Sequence, residues 1–144
     1  AWPTVSAKDG YDDAFWTDLL QVKDAVNGAL EQARKDDVLG GSLEADVVIY
    51  TDVKMQSQLA KLSDELRFVL ITSTATVSDL ADKPADASAT DIANVFVKVS
   101  KSSGEKCVRC WHHREDVGTI TAHPELCGRC VENIDGVGEV RAFA

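Results

Sequence analysis

Hydrophobic and polar residues recur with a helical period in the first quarter of the chain. In residues 12–35 apolar side chains return every three or four positions, while charged and amide side chains take the opposite side. This period predicts one long amphipathic helix. Its predicted apolar stripe consists of Trp16, Leu19, Val22, Val26, Ala29 or Leu30, and Ala33. The GGS sequence at residues 40–42 is expected to close this segment.

Shorter patterns follow between residues 44 and 102. Residues 44–50, EADVVIY, are β-branched and predict a strand, and residues 67–73, RFVLITS, form an apolar run that suits a buried strand. Residues 92–102, IANVFVKVSKS, alternate and predict a half-buried strand. Residues 54–66 predict a helix whose apolar face holds Met55, Leu59, Leu62 and Leu66.

Residues 80–91, LADKPADASATD, lose all periodicity and predict a loop or a boundary. The complete pattern predicts an α+β fold. A long N-terminal helix is followed by a small mixed α/β junction unit and then by a C-terminal segment that contains all four cysteines.

Composition narrows this picture. The 144 residues suffice for one domain or two small units, and the 6% aromatic content predicts an aliphatic core. No apolar run approaches the roughly 18 to 20 residues that cross a bilayer, so no membrane partner is expected. The first residues lack the pattern of a secretory signal, and the sequence reads as a cut inside a longer protein.

The charge is unevenly distributed. The formal net charge of -9 argues against binding to a polyanion, but residues 1–97 hold eight basic and seventeen acidic side chains, whereas residues 98–144 hold seven of each. Any phosphate contact is therefore expected in the C-terminal third. The alternative is that these basic residues are solvated surface charges or offset the charge of a nearby metal site.

The cysteines carry the strongest chemical signal. Their spacing is C-x2-C-x16-C-x2-C, at Cys107, Cys110, Cys127 and Cys130. Each C-x2-C pair can form a tight turn that directs two sulfurs to one point, and two such turns give the closed tetrahedron that Zn²⁺ prefers in structural sites. The spacing therefore predicts one structural zinc ion per chain, held by these four thiolates.

Other interpretations of the cysteines fit less well. A redox pair has no use for a second equivalent C-x2-C, and nothing indicates the oxidising compartment that two disulfides require. A catalytic zinc would need an open coordination position, which four cysteine ligands do not leave. Iron in place of zinc is an alternative that the sequence does not exclude. His112 and His113 lie beside the first pair but are expected to support the site or to be exposed, because four cysteines already complete the shell.

The residues around the cysteines also carry a family resemblance. GEKCVRCWHHREDVG and HPELCGRCVENIDGVGEVRAFA resemble the C-terminus of bacterial isoleucyl-tRNA synthetases, and WTDLLQVKDAVNGALEQARKDDVLGGSLEADVVIY and LSDELRFVLITSTATV resemble the segments before it. The resemblance covers nearly the whole chain, least well in residues 82–91 and the first dozen residues. It is more specific than the cysteines alone, because it includes the tryptophan and histidines of the first stretch.

The resemblance implies a fragment of a ligase that joins isoleucine to tRNA(Ile) with ATP, in a monomeric cytoplasmic enzyme. The HIGH-type and KMSKS-type signatures of the catalytic domain are absent from this sequence, so the fragment is expected to be non-catalytic. Residues 1–43 would hold the last helix of the anticodon-binding region, residues 44–103 a junction domain, and residues 104–144 a zinc-binding finger.

In the family this end of the protein is associated with holding the tRNA near its anticodon. RNA recognition uses aromatic or arginine platforms and phosphate contacts. The side chains of suitable type nearest the metal are Arg109, Trp111, Arg114 and Arg129. Trp111 has packing within the small module as its alternative role. The alternative function is a free-standing nucleic-acid-binding protein, because formamidopyrimidine-DNA glycosylases have a similar four-cysteine finger.

Overall fold

The computed structural model of the chain describes Ser6 and residues 10–142. Its first element is helix α1, Asp13–Lys35, which confirms the helix expected over residues 12–35. The Asp12 side chain caps this helix by accepting a hydrogen bond from the Phe15 N–H at 3.0 Å. Its buried stripe consists of Phe15, Leu19, Val22, Val26 and Leu30. The prediction for the first turn was wrong in one detail, since Phe15 is buried while Trp16 is 37% exposed.

A four-stranded sheet lies against α1. Strand β1 spans Ala45–Thr51, β2 Thr74–Asp79, β3 Ser88–Ala89 and β4 Val95–Lys101, and their order in the sheet is β2-β1-β4-β3. β1 pairs parallel with β2 and antiparallel with β4. The two predicted strands over residues 44–50 and 92–102 are thus confirmed as β1 and β4. Strand β3 pairs with β4 and keeps part of the predicted loop at residues 80–91 attached to the sheet.

The strand predicted over residues 67–73 was wrong. Helix α3, Leu66–Leu70, occupies this position, and β2 begins only at Thr74. Leu66 and Leu70 lie one helical turn apart and are both buried, so a helix satisfies this apolar run as well as a strand would. Ile71 ends the helix with a φ of +58°, and its N–H donates to the Arg67 carbonyl.

The helix predicted over residues 54–66 is broken into two pieces. Helix α2 spans Val53–Ala60, and Ser63, with a φ of +48°, separates it from α3. The predicted face is nevertheless largely kept. Three of its four members are buried, namely Leu59, Leu62 and Leu66.

One hydrophobic core joins α1, α2, α3, β1 and β4. Among the residues that the structure describes, fifteen buried ones form it, and Phe15 is the one aromatic residue of these fifteen. The expected aliphatic core is thereby confirmed. Residues from both sides of position 43 contribute to this core, and the division into residues 1–43, 44–103 and 104–144 stays a prediction.

The C-terminal segment forms a small module, which we call the cysteine module and which comprises residues 104–142. It contains a short hairpin of β5, Glu105–Lys106, and β6, His113–Arg114, followed by helix α4, Gly128–Asp135. The α+β fold with a C-terminal four-cysteine module is thus confirmed. None of the helices in the described part of the chain is long and apolar enough to cross a membrane.

Candidate metal centre

The first cysteine pair lies in a tight turn directly after β5. The Trp111 N–H donates to the Cys107 carbonyl at 2.9 Å, and the Cys107 N–H donates to the His112 carbonyl at 3.0 Å. Trp111 closes the turn with a φ of +67°, a left-handed conformation that costs a non-glycine residue about 1–2 kcal/mol. In this turn the Cys107 and Cys110 side chains both point toward the second cysteine pair.

The second pair lies at the start of α4. Cys127 precedes the first helical residue, and Cys130 falls in the first turn. Asp116 supports this start, because its carboxylate accepts the Gly128 N–H at 2.9 Å. The Cys127 N–H donates to the Cys107 sulfur at 3.4 Å and so connects the two pairs.

The four sulfurs form one cluster. Their Sγ atoms all lie within 4.8 Å of one another, and the Cys110 and Cys127 sulfurs are 3.7 Å apart. Four sulfurs at about 2.3 Å from a tetrahedral Zn²⁺ would be about 3.8 Å apart. Cys107, Cys127 and Cys130 are buried. The donor set and its spacing therefore fit a closed structural metal site.

The protonation of the thiols differs across the cluster. Burial acts to raise the pKa of Cys107, but the N–H groups of Cys110, Cys127 and Arg109 outweigh it and lower the pKa to about 6. Burial raises the pKa of Cys110 and that of Cys127. A cation among the sulfurs removes the cost of charging the last two thiols, so metal binding should release protons and weaken at low pH.

His112 and His113, beside the first pair, are not part of the group of side chains that could ligate a metal. The His112 Nδ1 lies 3.2 Å from the Cys110 carbonyl oxygen, and the His113 Nδ1 lies 3.0 Å from the Gly104 carbonyl oxygen. Burial, followed by the nearby arginines, lowers the pKa of His112. Both rings are thus placed to fix backbone around the site.

The four side chains predicted to meet RNA have different surroundings. Trp111 is 59% exposed, and Arg109 is exposed with one guanidinium nitrogen 3.6 Å from the Cys130 sulfur. Arg114 donates to the Ser73 carbonyl at 3.3 Å, and Arg129 donates to Glu139 at 2.6 Å. The first two are exposed and therefore available to a partner, while the last two are partly buried by their contacts within the chain.

Two residues near the site carry no recognisable sequence signal. Asp116 lies in one of the stretches that carry the family resemblance, and its role at the start of α4 appears only once the fold brings residues 116 and 128 together. Phe68 lies in a segment predicted as a strand, yet its ring contacts side chains of the cysteine module. Spacing cannot reveal the Phe68 contacts, because they join positions more than forty residues apart.

Comparison with known proteins agrees with this geometry. Residues 104–133 match a family model described as a zinc finger found in FPG and IleRS. The chain is 56% identical over 134 residues to an isoleucine--tRNA ligase of Pseudoalteromonas atlantica and 55% identical over 133 residues to one of Vibrio cholerae. An isoleucine--tRNA ligase of Shewanella amazonensis is 53% identical over 141 residues.

The resemblance is confirmed. The chain is a homologue of the C-terminal region of isoleucine--tRNA ligases. The three alignments cover 93%, 92% and 98% of this chain but only 14%, 14% and 15% of the respective ligases. The chain thus spans about one seventh of the length of these isoleucine--tRNA ligases, and its similarity to them extends well beyond the cysteine module into α1 and the sheet.

Proposed function

We propose that this chain is a non-catalytic, tRNA-positioning region of an isoleucine--tRNA ligase. The whole enzyme would attach isoleucine to tRNA(Ile) with ATP, as a monomer in the cytoplasm. The partners of the chain would be tRNA(Ile) and the rest of the enzyme. The observation that carries the proposal is an exposed basic and aromatic surface beside a four-sulfur cluster, in a chain more than half identical to these ligases.

The cysteine cluster would hold one structural Zn²⁺. Cys107, Cys110, Cys127 and Cys130 are its proposed ligands, and their four sulfurs leave no position for a substrate. Four thiolates and one Zn²⁺ carry a formal charge of -2, which the nearby arginines offset. The metal would supply folding free energy to the module rather than chemistry.

Trp111 and Arg109 are the proposed centre of the RNA surface. Trp111 lines an open cleft of about 350 Å³ together with Lys106, His113 and residues 41–44. The Lys106 ammonium lies 4.7 Å from the centre of the Trp111 ring, and Arg109 lies two residues earlier in the same turn. An exposed ring with adjacent cations suits a base stacked on the tryptophan and a phosphate beside it. Arg114 and Arg129 would support this surface from within.

A second candidate is a nucleic-acid-binding protein that resembles the glycosylases. It is favoured by one observation, the match of residues 104–133 to a zinc finger that the family description places in both FPG and IleRS. The two candidates differ in the nucleic acid they prefer. Duplex DNA bound more tightly than tRNA would favour the second.

The test is a binding titration of the zinc-loaded chain with tRNA(Ile) and with a DNA duplex over a range of salt concentrations. Trp111→Gly removes the ring and also suits the left-handed backbone, so any loss of affinity is not due to strain. We expect this variant to bind tRNA about 5- to 150-fold more weakly, which corresponds to about 1–3 kcal/mol for a stacked base. Arg109→Ala should reduce the salt dependence by about one phosphate contact.

Val137→Ala is the matched control, because Val137 is a fully exposed apolar residue of the same module. It should leave tRNA affinity unchanged. Equal affinity of the wild type and Trp111→Gly for tRNA would contradict the proposed surface. Isoleucine-dependent ATP–pyrophosphate exchange by the chain alone would contradict its non-catalytic character.

A further inference from the structure

The cysteine module and the α/β unit, residues 10–103, have separate apolar clusters. In the described residues, the buried cluster of the module consists of Cys107, Cys127 and Cys130, and it shares no member with the fifteen-residue core of α1 and the sheet. A shared hydrophobic core therefore does not fix the orientation of the module. Other contacts must determine how the two parts are held together.

The first contact lies at β6. The Ser73 hydroxyl donates to the His113 carbonyl, and the Ser73 carbonyl accepts a hydrogen bond from Arg114 at 3.3 Å. Within the module itself, Gly104 packs so closely against the Arg114 backbone that a Cβ atom there would come within 2.5 Å of the Arg114 carbonyl carbon. A single contact of this kind positions the module but leaves rotation about it possible.

The second contact is centred on Phe68 of α3. The guanidinium carbon of Arg141 lies 3.8 Å from the centre of the Phe68 ring, and that of Arg129 lies 4.9 Å from it. Arg67 is 4.1 Å from the same centre, and the His112 ring meets Phe68 edge-on at 6.1 Å. Three residues of the module thus surround one ring of the α/β unit, each by a contact with the face or edge of its π-system.

Charge compensation by Glu139 allows two of these guanidinium groups, those of Arg129 and Arg141, to gather at this ring. Glu139 accepts from Arg129 at 2.6 Å and lies 3.5 Å from Arg141. Arg129 also lies between the two cysteines of the second pair, so the start of α4 carries it. Any change in the fold of that turn would move the Arg129 side chain away from Phe68.

We propose that Phe68 is a positioning residue that fixes the orientation of the cysteine module on the α/β unit. A hydrogen bond from the Ala142 N–H to the Glu65 carboxylate at 2.6 Å also joins the two parts. Together with this bond and the contact at β6, the Phe68 contact restricts the rotation of the module. As a deepening of the proposed function, on which this part rests, Phe68 would thereby hold Arg109 and Trp111 at a fixed place relative to the rest of the ligase without touching RNA itself.

The test compares Phe68→Leu with Phe68→Tyr in the zinc-loaded chain by residual dipolar couplings of backbone amides. Leucine keeps apolar volume but removes the ring, whereas tyrosine keeps the ring. In the wild type and Phe68→Tyr, one alignment tensor should fit both parts of the molecule. In Phe68→Leu, the couplings of residues 104–142 should no longer fit the tensor of residues 10–103, while zinc stoichiometry stays at one.

Phe96→Leu is the matched control. The Phe96 ring also carries a cation, the Lys83 ammonium at 4.3 Å, but it lies on the sheet. This variant should keep the common tensor. If Phe68→Leu does not fold, Arg141→Gln removes a partly exposed partner of the same ring and should cause a smaller loss of the common tensor.

A common tensor in Phe68→Leu, or in its replacement Arg141→Gln, would overturn the proposal. A second measurement, tRNA(Ile) affinity, separates it from the proposed function. Phe68→Leu should weaken tRNA binding less than Trp111→Gly does. Phe68→Tyr should bind tRNA with the affinity of the wild type. Failure of the wild type to bind tRNA would overturn the proposed function but leave the dipolar-coupling result intact.

Discussion

The α/β unit and the cysteine module are stabilised by different interactions. The α/β unit buries fifteen hydrophobic residues in one core, while the buried residues of the module's cluster are three cysteines with a few partly buried neighbours. Burial of apolar surface stabilises the first at roughly 25 cal/mol per Å². A module of roughly 40 residues cannot bury enough surface for this, and we propose that it depends on a metal instead. On that proposal, the same chain contains one part that folds by the hydrophobic effect and one that folds by metal ligation.

Removal of the metal should produce the largest difference in stability between the two parts. Chelation should unfold residues 104–142, because thiolate coordination is the folding free energy of that part, while α1 stays protected by the fifteen-residue core. Amide hydrogen exchange before and after chelation measures both parts in one experiment. Cys127→Ser should give the same pattern, and return of zinc to the chelated wild type should restore protection. Slow exchange throughout the module in the absence of metal would contradict the prediction.

A cavity in the hydrophobic core should lower the stability of the α/β unit alone. Leu19 is 1% exposed, so Leu19→Ala should lower the free energy of unfolding by about 2–5 kcal/mol in urea titrations. Leu20→Ala is the matched control, because Leu20 is the next residue and is 55% exposed, and its effect should stay within about 0.5 kcal/mol. Zinc stoichiometry should remain one in both variants. Loss of zinc in Leu19→Ala would show that the two parts fold together.

The first hairpin of the cysteine module should respond to a single methyl group. Gly104→Ala places a Cβ atom against the Arg114 backbone, which cannot move without shifting β6, so we expect a cost of about 1–3 kcal/mol. The measurement is thermal unfolding of the zinc-loaded chain. Ser103→Ala tests the neighbouring exposed position and should be nearly silent. Equal melting temperatures for the two variants would contradict the close packing described for Gly104.

The smallest predicted effect is a gain in stability. Gly28 lies inside α1, and a Cβ atom there would have nothing within 4 Å outside the helix. Gly28→Ala should therefore stabilise the chain by about 0.5–1 kcal/mol, because alanine loses less backbone entropy in a helix. Urea unfolding followed by circular dichroism measures this gain. A loss of stability would mean that Gly28 is required by packing.

The sequence predicted elements whose residues repeat over several turns or strand positions. The period of α1 placed Leu19, Val22 and Val26 in the apolar stripe, and all three are buried. The alternation over residues 92–102 predicted a half-buried strand, and Val95 and Val97 form the buried side of β4. The run at residues 67–73 failed because a short apolar stretch fits a buried helix as well as a strand. The left-handed conformation of Ile71, which ends that helix, is rare for a β-branched residue and has no sequence signal.

The candidate site shows the same limit. The spacing of the cysteines was enough to predict that Cys107, Cys110, Cys127 and Cys130 meet, because each pair is local and a four-sulfur shell is a closed structure. The contacts of Phe68 with Arg129 and Arg141 could not be predicted, because they join distant positions without any repeated pattern. The exposure of Trp111 likewise became evident only from the fold of its turn.

Zinc-edge X-ray absorption of the purified chain is the most direct test of the idea that a metal takes the place of a hydrophobic core in the module. We predict one zinc per chain with four sulfur neighbours at about 2.3 Å and no light-atom ligand in the first shell. A first shell with nitrogen or oxygen atoms, or a folded module with no bound metal, would contradict this account.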